Sequence, residues 1–351
     1  MSRPHGGQRP FFHFGNPFRM ILSKESSASA KLLALLNSFE ETLAERLEKL
    51  KPRDNSEVVS LPWMRLAMGS LCETHTDIKT FITELQFPIS GWDQKWIDTY
   101  LDNSVKLLDI CIAFGSELSR LNQGHLLLQY VSHILECSSG LPSSEKVVQA
   151  RSSIQDWMRE ISSKNSKLEN CSAVLCALTG SLYLGKFKNS AKGKVLMRAM
   201  YGVKVQTIFL CSVFTAAFSG STDPLIESSV SNKFLWSGTF NDVQTSINGE
   251  IRRLFLHGTV SAFKELEEVH GGAKKLYSAM DVVGLEESGM LLKSNMSLQA
   301  SMEKLAQGLD ALLKQTENFF QIVLTGRDAL LGNLRISEIP QENNVDEQTV
   351  P

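Results

Sequence analysis

The stretch from Cys171 to Thr222 decides how the chain is organised. It reads CSAVLCALTGSLYLGKFKNSAKGKVLMRAMYGVKVQTIFLCSVFTAAFSGST. It holds six of the chain's 36 lysine and arginine residues and none of its 38 aspartate and glutamate residues. Because the whole chain has a formal net charge of -2, the acidic residues are concentrated outside this stretch. A basic part, 186–204, separates two apolar runs, 171–185 and 205–220.

The second apolar run, 205–220, predicts a helix at the centre of a helical bundle. Its uncharged length corresponds to about 24 Å of helix, which is short against a hydrocarbon core of about 30 Å. It also contains amide and hydroxyl side chains, which a protein core accommodates when they have hydrogen-bond partners. The alternative is a helix that inserts into or lies on a membrane, because positive residues flank such segments. The residues of this candidate core or membrane helix are Val205, Ile208, Phe209, Leu210, Val213, Phe214 and Phe218.

The basic residues that precede the run form the candidate functional surface. Lys192, Lys194, Arg198 and Lys204 are expected to offer a basic face to an acidic protein partner or to anionic lipid. Charge reversal at this face is expected to abolish the association while leaving the helices intact.

Most of the remaining sequence shows helical periodicity. Apolar residues recur every three or four positions, and the most regular stripe runs from Leu298 to Leu330. Single long helices are expected over 93–137 and 236–280, and no strand-turn-strand pattern is found. The predicted fold is all-α, an elongated bundle of long antiparallel helices over 29–332, with a disordered arm at 1–28 and a disordered acidic tail at 333–351.

The N-terminal arm carries the dense aromatic run FFHFGNPF. Its candidate docking residues are Phe11, Phe12, Phe14 and Phe18. Exposed aromatic rings gain free energy by entering a pocket. The arm is therefore either a linear docking motif for a partner or a segment that packs on the protein's own bundle. Arginines without acidic neighbours also give it a weak similarity to an organelle transit peptide.

No motif in the chain indicates catalysis, a cofactor or a metal ion. His75 lies on an apolar helical stripe and is interpreted as a core histidine, while His125 and His133 are eight residues apart, too far for the usual helical metal pair. A pI of about 6.4 and few aromatic residues in the basic part argue against nucleic-acid binding. The six cysteines lie in apolar segments, which favours reduced thiols in an intracellular protein that is not secreted.

Several long, unrepetitive strings resemble the BYPASS family of land-plant proteins. They are FGNPF at 14–18, the block from Trp63 to His75, DQKWID at 93–98, LSRLNQGHLLLQ at 118–129 and NSAKGKVLMRAMYGVKV at 189–205. The resemblance implies a non-enzymatic regulator of root and shoot development that restrains production of a root-derived mobile signal, which otherwise arrests shoot growth. It also implies links to exocyst subunits and secretion, and a plastid or membrane location.

Two alternative functions stay open from the sequence. One is a membrane-anchored regulator or exocyst-linked secretion factor, attached to the endoplasmic reticulum or a plastid through residues 205–220. The other is an enzyme or carrier for an apolar signal precursor, which requires a closed apolar cavity between helices. A cytoplasmic adaptor is expected if the apolar run is a core helix.

Overall fold

The computed structural model describes residues 18–54, 57–85, 94–136, 142–163, 165–182, 191–256, 263–281 and 288–337. For residues 18–28, 94–96, 288 and 333–337 it describes the backbone alone. The predicted docking phenylalanines at 11, 12 and 14 and the acidic tail from 338 onward lie outside the described residues, as does the side chain of Phe18.

These parts of the chain are helical. The helices are α1 (Phe18–Lys49), α2 (Leu61–Glu84), α3 (Gln94–Leu135), α4 (Ser144–Ser162), α5 (Ser166–Gly180), α6 (Ala191–Ser219), α7 (Ser237–Leu256), α8 (Lys264–Ala279) and α9 (Ser288–Ser337). No strand occurs within the described ranges, and the predicted all-α fold is confirmed.

The two longest helices, α3 and α9, form the spine of the bundle. They contain 42 and 50 residues and are therefore about 63 and 75 Å long at 1.5 Å per residue. Ser132 on α3 donates to Asn295 on α9 at 3.0 Å, while Arg327 reaches Ser104 at the other end at 3.0 Å. This register makes the two helices antiparallel.

Helix α2 packs on another side of α9 and runs parallel to it. The His75 ring on α2 stands edge-on to the Phe319 ring at 5.0 Å, and Leu61 lies against Gly308 eleven positions earlier on α9. Ser60 caps the start of α2, where its hydroxyl accepts from the Trp63 backbone N–H. The bundle therefore contains both parallel and antiparallel neighbours.

The predicted stripe of α9 is its buried face. It contacts α2, α3 and α8, so the three-and-four spacing fixes which side of the long helix enters the core. The buried members are Leu298, Met302, Leu305, Leu309, Leu312, Thr316, Phe319 and Val323.

Helix α6 lies between α1, α2, α5 and α7 and is buried over most of its length. Phe209 and Phe214 have no exposed surface; their rings meet Phe240 on α7 at 5.5 Å and Phe114 on α3 at 5.8 Å. Thr207 and other hydroxyl residues donate to carbonyls three or four positions earlier in the same helix. Packing thus surrounds the helix, and these hydroxyl groups are paired within it, whereas Oε1 of the buried Gln206 has no hydrogen-bond partner.

Three boundaries differ from the sequence prediction. Helix α1 begins at Phe18, eleven residues before the expected start of the bundle at 29. Helix α9 continues to Ser337, five residues beyond the expected end of the bundle at 332. The helix expected over 236–280 is divided into α7 and α8, and Phe263, directly before α8, has an extended backbone.

Candidate functional site

The four residues of the predicted basic face lie on α6 but do not share one side of it. At about 100° of rotation per residue, Lys192, Lys194 and Lys204 point in three directions, and Arg198 lies within about 40° of Lys194. Of these four, Lys194 is exposed, whereas the other three are partly buried. Whether Lys194 and its neighbours bind a partner or lipid stays a prediction.

Arg198 is engaged inside the protein. Its Nη2 lies 3.0 Å from Oε2 of Glu40 on α1, its Nε bonds the other carboxylate oxygen, and the Glu40 residue has no exposed surface. The same guanidinium donates to the Lys233 carbonyl at 2.8 Å. The Leu235 backbone N–H completes the coordination of Glu40 at 2.9 Å. Arg198 therefore joins α1 and α6 to the segment that precedes α7.

Lys192 and Lys204 also have local roles. The Lys192 ammonium donates to the Leu85 carbonyl at 2.8 Å, which places a cation at the negative end of the α2 dipole. Burial lowers the pKa of the Lys204 ammonium. Neither side chain is presented to solvent as freely as Lys194.

The candidate core or membrane helix falls inside the bundle. Within the described residues, α6 is the helix that is long and apolar enough to cross a membrane. In its apolar stretch of 18 residues, 83% of the residues are buried in the protein. A buried core helix of a soluble protein can be equally long and apolar. The side chains concerned are buried, except that Phe218 is only partly covered; they are Val205, Ile208, Phe209, Leu210, Val213, Phe214 and Phe218.

His75 is held in a polar contact between α2 and α6. Its Nε2 lies 2.9 Å from Thr207 Oγ1, and that hydroxyl donates to the Val203 carbonyl at 2.7 Å. The hydroxyl therefore accepts from the ring, which assigns the Nε2–H tautomer. Burial lowers the pKa of His75 to about 4, so the ring is neutral at physiological pH.

Four of the described cysteines are buried and free of disulfides. Burial raises the pKa of Cys72 and Cys171 to about 11 and that of Cys111 to about 12, while the pKa of Cys211 also rises with burial. Since the thiolate is the reactive form, these thiols are poor nucleophiles. In the described part of the chain, no group of three or more His, Cys, Asp or Glu residues is arranged to hold a metal ion.

A polar groove between α3 and α9 brings His125 and His133 together, although their sequence spacing did not indicate a joint site. Its volume is about 220 Å³. Four of the residues that line it lie on α3, Glu136 directly follows α3, and three lie on α9; they are His125, Gln129, Ser132, His133, Glu136, Gln299, Met302 and Glu303. We call this feature the α3–α9 groove.

One buried polar atom of the groove has no hydrogen-bond partner. His125 is only 7% exposed, and its Nδ1 is buried without a hydrogen bond. Burial lowers the pKa of His125, against smaller opposing effects of Glu303 and Asp310, so the neutral ring is favoured. In the Nε2–H tautomer of the neutral ring, Nδ1 is an acceptor, and this buried atom is then available to a donor from a bound partner.

Two carboxylates line the groove, and each receives one amide hydrogen bond. Gln299 Nε2 donates to Glu136 Oε1 at 2.6 Å, and Gln307 Nε2 donates to Glu303 Oε1 at 2.6 Å. Among the described residues, neither carboxylate forms an ion pair with lysine or arginine. The groove is thus rich in acceptors and carries uncompensated negative charge.

Exposed apolar side chains flank the polar groove. On α3, Leu126 is 61% and Tyr130 42% exposed; on α9, Leu292 is 55% and Met296 61% exposed. Each pair is four residues apart and therefore lies on one side of its helix. The sequence contained this signal, since apolar residues at these positions fall outside the core stripe, but only the packing of α3 on α9 places the two pairs beside the same groove.

The fold is a helical bundle with an open polar groove between the two longest of the described helices. A family model described as Protein ROH1-like matches residues 18–174. The chain is 49% identical to Protein BPS1, chloroplastic, of Arabidopsis thaliana, over 95% of this chain and 93% of that protein. It is 45% identical to UPF0496 protein 4 of Oryza sativa subsp. japonica, over 96% and 98% of the two chains.

The chain belongs to the BYPASS (BPS) family, as the motifs in its sequence indicated. No solved structure matches it.

Proposed function

We propose that this protein is a non-enzymatic regulator or adaptor of root and shoot development in plants. In this role it restrains production of a root-derived mobile signal that arrests shoot growth. The supporting observation is the 49% identity to Protein BPS1, which extends over 95% of the chain. An adaptor acts through surfaces, and the α3–α9 groove and the exposed Lys194 are the surfaces that this proposal uses.

Grafting tests the developmental role. In plants that lack the endogenous relative, this chain is expressed either in the rootstock alone or in the shoot alone. We expect root expression to restore leaf growth of the grafted shoot and shoot expression to have no effect, because the signal originates in the root. Restoration from the shoot alone, or no restoration from the root, would overturn the proposal.

The partners that we propose are proteins of the secretory machinery, including exocyst subunits, and the N-terminal arm is the proposed docking element. A tagged chain and the same chain without residues 1–20 are compared by capture from root tissue. Loss of exocyst subunits from the truncated sample is the expected result. Equal capture by both chains would assign recruitment to the bundle instead.

A membrane or plastid location is the second candidate. It is favoured by the word "chloroplastic" in the name of the Arabidopsis relative and by the apolar length of α6. Because α6 is buried, we favour attachment of the protein to a membrane through its surface. Insertion of α6 into the membrane would leave an empty space in the core of the bundle. Imaging of a C-terminally tagged chain distinguishes plastid, endoplasmic reticulum and cytoplasm.

An enzyme or carrier of an apolar precursor has less support. The α3–α9 groove is open to solvent and seven of its eight lining residues are polar, with Met302 the exception. An apolar molecule would leave these polar groups without partners. Turnover of a small metabolite by the purified chain would contradict the adaptor proposal.

A further inference from the structure

The α3–α9 groove lies between two long antiparallel helices, an arrangement that can accept a third helix. Leu292, Met296, Gln299 and Glu303 lie within about 60° of one another on α9, and Gln299 and Glu303 line the groove together with residues of α3. Two long antiparallel helices side by side leave a channel into which the ridge of a third helix fits. The exposed Leu126 and Tyr130 on one bank and Leu292 and Met296 on the other provide apolar contacts for such a helix.

The polar residues of the α3–α9 groove favour a bound helix that carries a positive charge. Glu136 and Glu303 are the charged residues that line it, and no lysine or arginine does so. Lys293 and Lys304, the lysines beside this part of α9, lie about 100° further around the helix than Leu292 and Glu303, while Lys314 shares their side but lies about three turns beyond Glu303. The unpartnered Nδ1 of His125 adds a buried acceptor beside the carboxylates. Several acceptors that line one groove fit the fork of donors in a guanidinium better than the single ammonium of lysine.

We propose that the α3–α9 groove binds an amphipathic helix of a protein partner, with its apolar residues on Leu126, Tyr130, Leu292 and Met296 and one arginine placed between Glu136, Glu303 and His125. This inference rests on the proposed adaptor role, because it specifies the chemistry of a partner.

The protein's own termini do not fit this site. The acidic tail has the same sign of charge as the groove. The N-terminal arm starts at the opposite end of the bundle, because Phe39 of α1 meets Phe81 of α2, and α2 runs parallel to α9. Its 17 residues span at most about 60 Å, and the groove lies about 70 Å from Phe18 along the bundle.

Methionine methyl NMR of the full chain provides the test. Met296 and Met302 lie at the groove, whereas Met64 and Met197 are buried elsewhere. The probe is a short alanine-based helical peptide with leucines at i, i+4 and i+7 and one arginine on the same face; in the matched peptide, glutamate replaces the arginine. We expect the arginine peptide to shift Met296 and Met302 and the glutamate peptide to shift neither.

Variants assign the binding to the groove. The double variant Glu136→Gln and Glu303→Gln is expected to weaken peptide binding at least about tenfold, because it removes both charge-assisted hydrogen bonds. Glu317→Gln is the matched control, since Glu317 is exposed on nearly the same side of α9 about four turns further on. Met296→Gln with Leu126→Gln is expected to weaken binding similarly, and Leu66→Gln on α2 to leave it unchanged.

Three results would overturn the inference: no shift of Met296 and Met302 at millimolar peptide, equal binding of both peptides, or unchanged affinity of the Glu136→Gln, Glu303→Gln variant. Concentration-dependent shifts without peptide, together with a dimer in sedimentation, would assign the groove to a second copy and also overturn it. Because this test is made on the purified chain, its failure would overturn the groove proposal alone. The developmental role is tested separately by the grafting experiment.

Discussion

Arg198 on α6 and Glu40 on α1 form a bidentate ion pair in which the carboxylate is buried. Glu40 is completely buried, while the Arg198 side chain is 32% exposed. A carboxylate without water is stable only when its oxygens are paired, and here Arg198 and the Leu235 N–H supply the donors. The residue expected to meet an external partner thus stabilises the fold.

Replacement of Arg198 is therefore expected to destabilise the protein. Arg198→Met leaves the buried Glu40 charge without its main partner, at a cost of about 3 kcal/mol, the lower end of the usual range because Arg198 is partly hydrated. Urea unfolding followed by circular dichroism measures it. Arg159→Met, which breaks an exposed pair with Asp156, should change stability by less than about 0.5 kcal/mol. Equal effects of the two variants would contradict the role of Glu40.

The exposed Lys194 tests the basic surface without disturbing the core. If α6 offers a basic surface to anionic lipid, Lys194→Glu should weaken binding to phosphatidylserine vesicles about tenfold or more, since each lysine near such a surface contributes about 1 kcal/mol. The urea midpoint should stay the same. Vesicle flotation measures binding, with Lys293→Glu on α9 as the control. Unchanged flotation of the Lys194→Glu chain would refute a lipid-binding role for this position.

Gly308 is required for the approach of α2 to α9. A Cβ at this position would lie 2.6 Å from Leu61 Cδ1 and 3.0 Å from Leu61 Cβ, which cannot swing away because it is next to the backbone. Gly308→Ala should therefore lower the free energy of unfolding by about 1–3 kcal/mol through overpacking. Gly249→Ala on α7, where a Cβ meets nothing within 4 Å, should raise it by about 0.5–1 kcal/mol. The same sign of change for both variants would contradict this packing.

His75 should make the fold sensitive to acid. Its pKa is about 4 in the folded protein, against about 6.5 in the unfolded chain. Between these values the unfolded chain binds the proton and the folded protein does not, so stability is complete above pH 6.5 and falls as the pH drops towards 4.

The His75 contribution reaches at most about 3 kcal/mol at pH 4. His75→Gln removes the titration and keeps an amide donor for Thr207, so its stability should fall less steeply over this pH window. His125 and His270, whose pKa values burial also lowers, titrate in both chains and cancel in the comparison. Parallel pH profiles of the two proteins would show that His75 is solvated.

Helix α6 should behave as a core helix in cell fractions. Because 83% of its apolar window is buried by other helices, extraction with alkaline carbonate is expected to release the protein into the soluble fraction. A chain with an authentic membrane-spanning helix serves as the retained control. Retention of this protein would mean that α6 leaves the bundle and enters the bilayer.

The sequence pattern within single helices predicted which face of each helix is buried. The stripe from Leu298 to Val323 and the burial of Phe209 and Phe214 follow from periodicity and from the absence of charge. The family could also be predicted, since its strings are contiguous. The break between α7 and α8 was missed because several residues of modest helix propensity, without proline, give only a weak stop signal.

The sequence by itself determined an all-α chain with a central apolar helix and membership of the BYPASS family. Only the tertiary structure decided the partners of the polar side chains, because these come from residues far apart in sequence: Arg198 with Glu40, His75 with Thr207, and His125 with Glu303 in one groove. A helical pattern fixes the side of a helix that is buried, whereas the register between neighbouring helices depends on close packing of the whole core. For this reason the acid-free stretch at 171–222 predicted a core helix, whereas only the packing of α3 on α9 formed the α3–α9 groove.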